Sequence, residues 1–181
     1  LPSATIYVFD NASQDATASL AAAAGAIVRL VPAPGKGAVV RRMFADVDAD
    51  LYLIVDGDGT YDPADAPRLI DLLLSEGLDM VVGARTGLRG GAFRVGHTFG
   101  NRLFNGLYRW LFGAGFSDIL SGYRAFSPRF VSSFPAVATG FEIETEMSVH
   151  ASQLRLPVAE LDVSYRQRPP GSRSKLRTVA D

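Results

Sequence analysis

The segment LYLIVDGDGTYDP, residues 51–63, decides the fold and most of the chemistry. Leu51 to Val55 is an apolar run too short for a buried helix and reads as a buried strand. Asp56-Gly57-Asp58 follows it without a break. In extended chain, residues i and i+2 point to the same side. The two carboxylates therefore stand side by side at a strand exit, where they repel unless a cation lies between them. Mg²⁺ and Mn²⁺ prefer oxygen ligands and often share them with substrate phosphates. Gly57 and Gly59 remove side-chain bulk, so a large ligand can approach the backbone. The same residues also suit a simple Asx turn closing a strand.

Three other readings of this segment are weaker. DGDGT is similar to the first motif of haloacid-dehalogenase-like phosphatases, but these need a later Lys and a late acidic pair. Here the only downstream lysine is Lys175, and no acidic pair follows it. An EF-hand loop begun at Asp46 would have Leu51 where the turn glycine belongs. Gly35-Lys36-Gly37 lacks the spacing of a phosphate-binding P-loop.

Outward from this segment, strands and helices alternate. Thr5–Phe9, Ile27–Leu30 and Met80–Val82 read as strands; 13–24, Ala38–Ala45 and Ala66–Ser75 read as helices, with Gly25 stopping the first. Alternation of this kind predicts an α/β fold with a mostly parallel, doubly wound sheet. Ligands of such sheets sit at the carboxyl ends of the strands, which here carry Asp10, Asp56/Asp58 and Arg85. Farther along, 94–112 predicts a helix with a broad apolar side, suited to core packing or to a lipid or partner surface. YRAF (123–126) has strand character, Phe141–Ser152 predicts a helix, and Val158–Tyr165 predicts a strand. Arg166–Ser174 is a polar Pro/Gly loop.

The chain has 181 residues, 18 Lys+Arg and 19 Asp+Glu, with no cysteine. One domain of this size builds a sizeable core. The near-neutral charge argues against an overall basic nucleic-acid binder. The lack of cysteine removes disulfides, thiolate zinc sites and cysteine nucleophiles. The longest mostly apolar stretch, Leu20–Val28, ends at Arg29 and falls short of the roughly 18 residues of a spanning helix. Charge is polarised along the chain: ten acidic residues and one Arg lie between Asp46 and Asp79, then seven Arg and one acid between Arg85 and Arg129. That order suits a site holding a cation and phosphates together, or an ordinary solvated surface. Arg166, Arg168, Arg173 and Lys175 suit either a lid over a diphosphate or a solvated tail. His97 and His150 have no partner spacing and read as structural.

Several segments, in order, resemble family 2 glycosyltransferases, in particular dolichyl- or polyprenyl-phosphate sugar synthases. FDNASQDAT (9–17) is similar to "DDGSxDGT", GKGAVVRR (35–42) to "GKGxAxxxG", and VDGDGTYDP (55–63) to the D-x-D metal segment. VVGAR (81–85) is similar to "VxGSR", and Arg94, Thr98 and Asn101 approximate an "RxxxSxxxN" helix. SDILSGYRAF (117–126) is similar to "SDxxSGFRxF", GFEIETEM (140–147) to the acceptor-side helix, and YRQRPPGSRSKLR (165–177) to "RxxGxSKL". Asn11-Ala12 stands where the family often has Asp-Gly, and Ser172-Arg173 lengthens the last loop.

The resemblance implies a GT-A fold over one catalytic domain, residues 1–181. It implies inverting transfer of a hexose from a UDP- or GDP-sugar. Asp56 and Asp58 would hold Mg²⁺ or Mn²⁺, and Asp10 would contact the nucleoside. Arg85, Arg124, Arg168 and Lys175 would handle phosphates, with Lys36 and Ser174 beside them. Asp118 would orient the acceptor or serve as its base, and Glu146 would face the acceptor. A polyprenyl phosphate acceptor implies a membrane surface and a cytoplasmic-face location. A saccharide hydroxyl acceptor and a non-catalytic nucleotide-sugar binding domain are the alternatives. The family's first strand, with its P-x-Y-N-E segment, is missing from these residues, so the chain is expected to be truncated at both ends.

Overall fold

The computed structural model describes residues 4–86 and 116–166. Its elements run β1 (Tyr7–Asp10), α1 (Thr17–Ala23), β2 (Ile27–Leu30), α2 (Lys36–Asp46), β3 (Tyr52–Ile54), α3 (Ala66–Ser75) and β4 (Met80–Thr86). Then follow β5 (Arg124–Phe126), α4 (Pro128–Ser133), α5 (Ile143–Gln153) and β6 (Val158–Ser164). The predicted alternation holds through β4. The helix expected over 94–112 lies outside the described residues.

The strands form a parallel pair, β1–β2, and a four-stranded sheet in the order β3-β5-β4-β6. β5 runs antiparallel to both β3 and β4, while β4 and β6 are parallel. The architecture is thus mixed, where alternation alone predicts mostly parallel strands. The reversal comes at β5, which the chain enters from the Ser117–Tyr123 turn and which runs against both of its neighbours.

β4 shows why the core sits where it does. Met80, Val81 and Val82 are all 0 % exposed, because β5 and β6 flank the strand and both faces are covered. Side chains alternate between faces. Met80 and Val82 join Phe126, Phe130, Phe134, Ile143, Met147 and Val40 on one side. Val81 joins Ala125, Tyr123, Val163, Leu69 and Leu73 on the other. In α3, Ala66, Leu69 and Leu73 recur at helical spacing and form the buried stripe.

α4 was not foreseen in the sequence reading. Ser127 caps it by accepting from the Phe130 amide, and Pro128 occupies the first turn, where a missing N–H costs nothing. Ser127 Oγ also donates to Asp79 Oδ1 at 2.7 Å, and Arg129 Nε donates to the same oxygen at 2.8 Å. This ties α4 to the start of β4, at the end of the sheet opposite the aspartates.

Candidate active site

The exits of β1, β2, β3 and β4 lie on one end of the molecule, and cross-links between loops hold them there. Asn11 leaves β1 and donates through Nδ2 to the carbonyls of Val31 and Ala33, at 2.9 and 2.7 Å. Its Oδ1 accepts from the Gly35 amide at 3.1 Å. Gly37 donates to the carbonyls of Thr139 and Gly140, at 3.0 and 3.1 Å. A Cβ on Gly37 would lie 2.1 Å from the Ala138 carbonyl oxygen, and one on Gly35 would lie 2.1 Å from that of Thr139. Only glycine permits this approach of two backbones. Arg41 completes the clamp by donating to the Ala136 and Val137 carbonyls.

The clamp fixes where Lys36, at the first turn of α2, delivers its ammonium. Nζ donates to Asp56 Oδ1 at 2.5 Å and is ion-paired with Glu144 Oε1. Burial alone would lower the lysine's pKa. The carboxylates of Glu144 and Asp56 outweigh burial and hold it above the ordinary lysine value.

Asp56 and Asp58 lie just past β3, at the entry to a turn in which Gly59 has a φ of 73°. From Ile54 to Gly59, burial alternates, with Asp56 and Asp58 half-buried and Val55, Gly57 and Gly59 exposed. Asp58 Oδ1 accepts from Thr60 Oγ1 at 2.6 Å and from the Thr60 amide at 3.2 Å. Asp56 rests on backbone, since a Cβ at Gly122 would lie 2.4 Å from its Oδ2. Beneath it, Tyr61 Oη accepts from the Gly122 amide at 3.0 Å and lies 3.2 Å from Ser121 Oγ. Ser121 Oγ in turn donates to the Gly83 carbonyl of β4 at 2.6 Å. Burial raises the Tyr61 pKa, with the Arg85 charge opposing it.

Arg85 and Asp118 form a bidentate pair, Nε–Oδ2 and Nη2–Oδ1 both 2.7 Å. Burial works against the guanidinium charge, but the hydrogen bonds and charge of Asp118 outweigh it and hold Arg85 above its ordinary pKa. Arg85 also lies 5.4 Å from the centroid of the Tyr165 ring. Asp118 is positioned from behind, because Glu160 accepts from the amides of Ser117 and Asp118. Past β6, the Arg166 amide donates to the Thr60 carbonyl at 2.8 Å, and its guanidinium pairs with Asp62 at 2.5 Å. The chain leading into the basic loop is therefore anchored on the aspartate turn. Arg168, Ser174 and Lys175 lie outside the described residues.

Three expected residues sit elsewhere than their anticipated roles require. Arg124 is 1 % exposed. Its guanidinium donates to the Ser121 and Ile119 carbonyls and to Ser148 Oγ, so it braces the Ser117–Tyr123 turn and has no open surface to offer a phosphate. Glu146 accepts from the Val137 and Ala138 amides and so shapes the clamp loop. Asp10 is buried and turned back onto Ser13, whose amide and hydroxyl both donate to Oδ1. Glu144 was not among the expected site residues; Glu142, Glu144 and Glu146 alternate in the sequence, and only the spacing of Glu144 with Met147, Ser148 and Ala151 marks it as lying on the buried side of α5.

The mixed α/β sheet, with carboxylates at a strand exit facing a glycine-clamped lysine loop, is a GT-A fold. The chain belongs to Glycosyl transferase family 2, whose family profile matches residues 2–131. It is 38 % identical over 180 residues to glycosyltransferase AglJ of Haloferax volcanii, covering 98 % of this chain and 59 % of the relative. It is 32 % identical over 164 residues to the low-salt glycan biosynthesis hexosyltransferase Agl6 of the same organism, covering 89 % and 40 %. Among solved structures it is similar to glucosyl-3-phosphoglycerate synthase from Mycobacterium tuberculosis, in complex with Mn²⁺, UDP-glucose and phosphoglyceric acid. That likeness has a TM-score of 0.71 and 30 % identity, covering 90 % of this chain and 61 % of that one. The chain thus spans less than two thirds of the length of these relatives.

Proposed function

We propose that the chain is the donor-binding and catalytic part of an inverting glycosyltransferase. It moves a hexose from a nucleotide sugar to a polyprenyl phosphate at the cytoplasmic face of a membrane. On the donor side, Asp56 and Asp58 fit a divalent ion, since both are half-buried carboxylates supplying hard oxygens just past the exit of β3. Asp56 already accepts a cationic partner in Lys36. Among the described residues no group of three or more His, Cys, Asp or Glu forms a closed cage. A divalent ion at Asp56 and Asp58 neutralises charge on the departing nucleoside diphosphate. The solved relative holding Mn²⁺ and UDP-glucose supports this donor chemistry.

One observation carries the acceptor. Among the described residues, two carboxylates near the aspartates have both oxygens engaged: Asp118 with Arg85 and Glu146 with two amides. A hydroxyl acceptor needs a carboxylate able to take its proton. A phosphate monoester, with a second pKa of about 6, arrives ionised and needs none. Among the described residues no helix is long and apolar enough to cross a membrane. A second reading, a small hydroxyl acceptor, is favoured by the likeness to a synthase solved with phosphoglyceric acid.

Radiolabelled UDP- or GDP-hexose, Mn²⁺ and polyprenyl phosphate test the proposal. Label moving into organic solvent, and lost in Asp58→Asn, supports it. Label confined to water with phosphoglyceric acid as acceptor favours the second reading. Full transfer by Asp58→Asn refutes the metal assignment.

A further inference from the structure

Lys36 reaches between two carboxylates, its side chain 18 % exposed against 33 % for Asp56 and 7 % for Glu144. Asp56 lies against the Gly122 backbone and cannot retreat. Glu144 is 6 % exposed, on the first turn of α5. Glu144 Oε1 holds the ammonium, yet among the described residues its buried Oε2 has no hydrogen-bond partner. Glu144, Lys36, Gly122, Arg124 and Met147 line a small cavity at that point. A buried carboxylate oxygen left unsatisfied is costly, so the site holds an acceptor in reserve for a donor close by. The Lys36 ammonium, already on Oε1, is a donor carried on a flexible four-carbon stem.

We infer that Lys36 is a built-in cation occupying Asp56, and that Glu144 is the positioning residue that receives it when a divalent ion binds there. The inference rests on Asp56 and Asp58 being the metal-binding aspartates. In the first arrangement, the ammonium bridges Asp56 and Glu144 and quenches the repulsion between carboxylates. In the second, it gives up Asp56 and takes both oxygens of Glu144, filling the vacancy at Oε2. Asp56 is then freed for the metal, and Lys36 stays beside the incoming diphosphate. Glu144 acts through Lys36 and never touches the ion. A site competent only about a tenth of the time binds about tenfold more weakly than the same site held open.

The test is Mn²⁺ affinity without nucleotide, read from the electron paramagnetic resonance of unbound Mn²⁺, on the whole chain and a double-mutant cycle. Lys36→Met should tighten Mn²⁺ binding about tenfold. Glu144→Gln should weaken it about threefold or more when Lys36 is present, since the ammonium then rests on Asp56 alone. In the Lys36→Met background, Glu144→Gln should have no effect. Lys36→Gln serves as a second variant if Lys36→Met lowers the melting temperature. Glu144→Gln weakening Mn²⁺ equally in both backgrounds overturns the inference, because Glu144 would then act on the ion directly. Unchanged or weaker binding in both Lys36 variants overturns it as well, while leaving the aspartates as the metal site. Absence of Mn²⁺ binding in every variant removes the metal assignment, and this inference with it.

Discussion

Leu51–Val55 and Met80–Val82 are both apolar strand runs, yet they meet different fates. Met80, Val81 and Val82 are sealed, whereas residues 51–54 are half-buried and Val55 is 46 % exposed. β4 has a strand on each side and helices over both faces. β3 lies at the end of its sheet, paired with β5 alone among the described residues. The β1–β2 ribbon is more exposed still: α1 buries no residue, and Leu30 is 69 % exposed. Hydrophobicity thus chose strands in all three places, but burial followed from the number of neighbours. The more buried half of the molecule carries the Arg85–Asp118 pair, and the more exposed half leads through β2 into the Lys36 turn of α2. Helix α5 spans the difference by placing Glu144 against Lys36.

The sharpest way to break this contrast is to remove the hidden charge from the buried half. Arg124→Ala leaves the Ser121 and Ile119 carbonyls without their donor and opens a cavity. It should cost about 3–5 kcal/mol in urea unfolding. A loss below about 1 kcal/mol would show that the Ser117–Tyr123 turn does not depend on it. Next comes a matched pair. Phe130→Ala, fully buried between Phe126 and Phe134, should cost about 3–4 kcal/mol, while Leu30→Ala should stay within about 0.5 kcal/mol. Equal losses would erase the distinction between the halves.

Gly122→Ala probes the seam. The new Cβ would collide with the Asp56 carboxylate, at a stability cost of about 1–3 kcal/mol. Metal-dependent transfer should fall by more than the melting curve explains, as shown by a rise in the Mn²⁺ concentration for half-maximal rate. The smallest effect is a pH dependence at His150, which meets the edges of Phe130 and Phe134 and pairs with Ser133 Oγ at 3.0 Å. Burial lowers its pKa, with the Glu146 charge opposing. The neutral ring is therefore favoured in the fold. Its contribution is complete above the unfolded histidine value of about 6.5 and declines as pH falls through the lower folded value. His150→Gln should flatten the stability profile between about pH 7 and 5. An unchanged slope in urea midpoints would place the titration elsewhere.

Much of the site was legible because its rules are local. Asp56-Gly57-Asp58, directly after an apolar strand run, is visible in the sequence alone. Glycines at 35 and 37 announce a close approach, though not what approaches. The glutamates of α5 were not separable by type or by motif. Glu146 was expected at the acceptor, but it shapes the 136–139 loop, and Glu144 faces the aspartates instead. Arg124 had the residue type of a phosphate ligand, and its burial depends on Ser148 and Ile119, contributed by other segments.

What the residue order determined by itself is the succession of strands and helices, the paired aspartates and the ordered family motifs. These follow from periodicity, turn chemistry and contacts between near neighbours in the chain. Only the tertiary structure decided that β5 wedges antiparallel between β3 and β4, that Arg124 is sealed, and that Lys36 bridges Asp56 to Glu144. Those outcomes depend on which distant segments meet. Pairing, burial and charge compensation are properties of that meeting, and no local pattern encodes them.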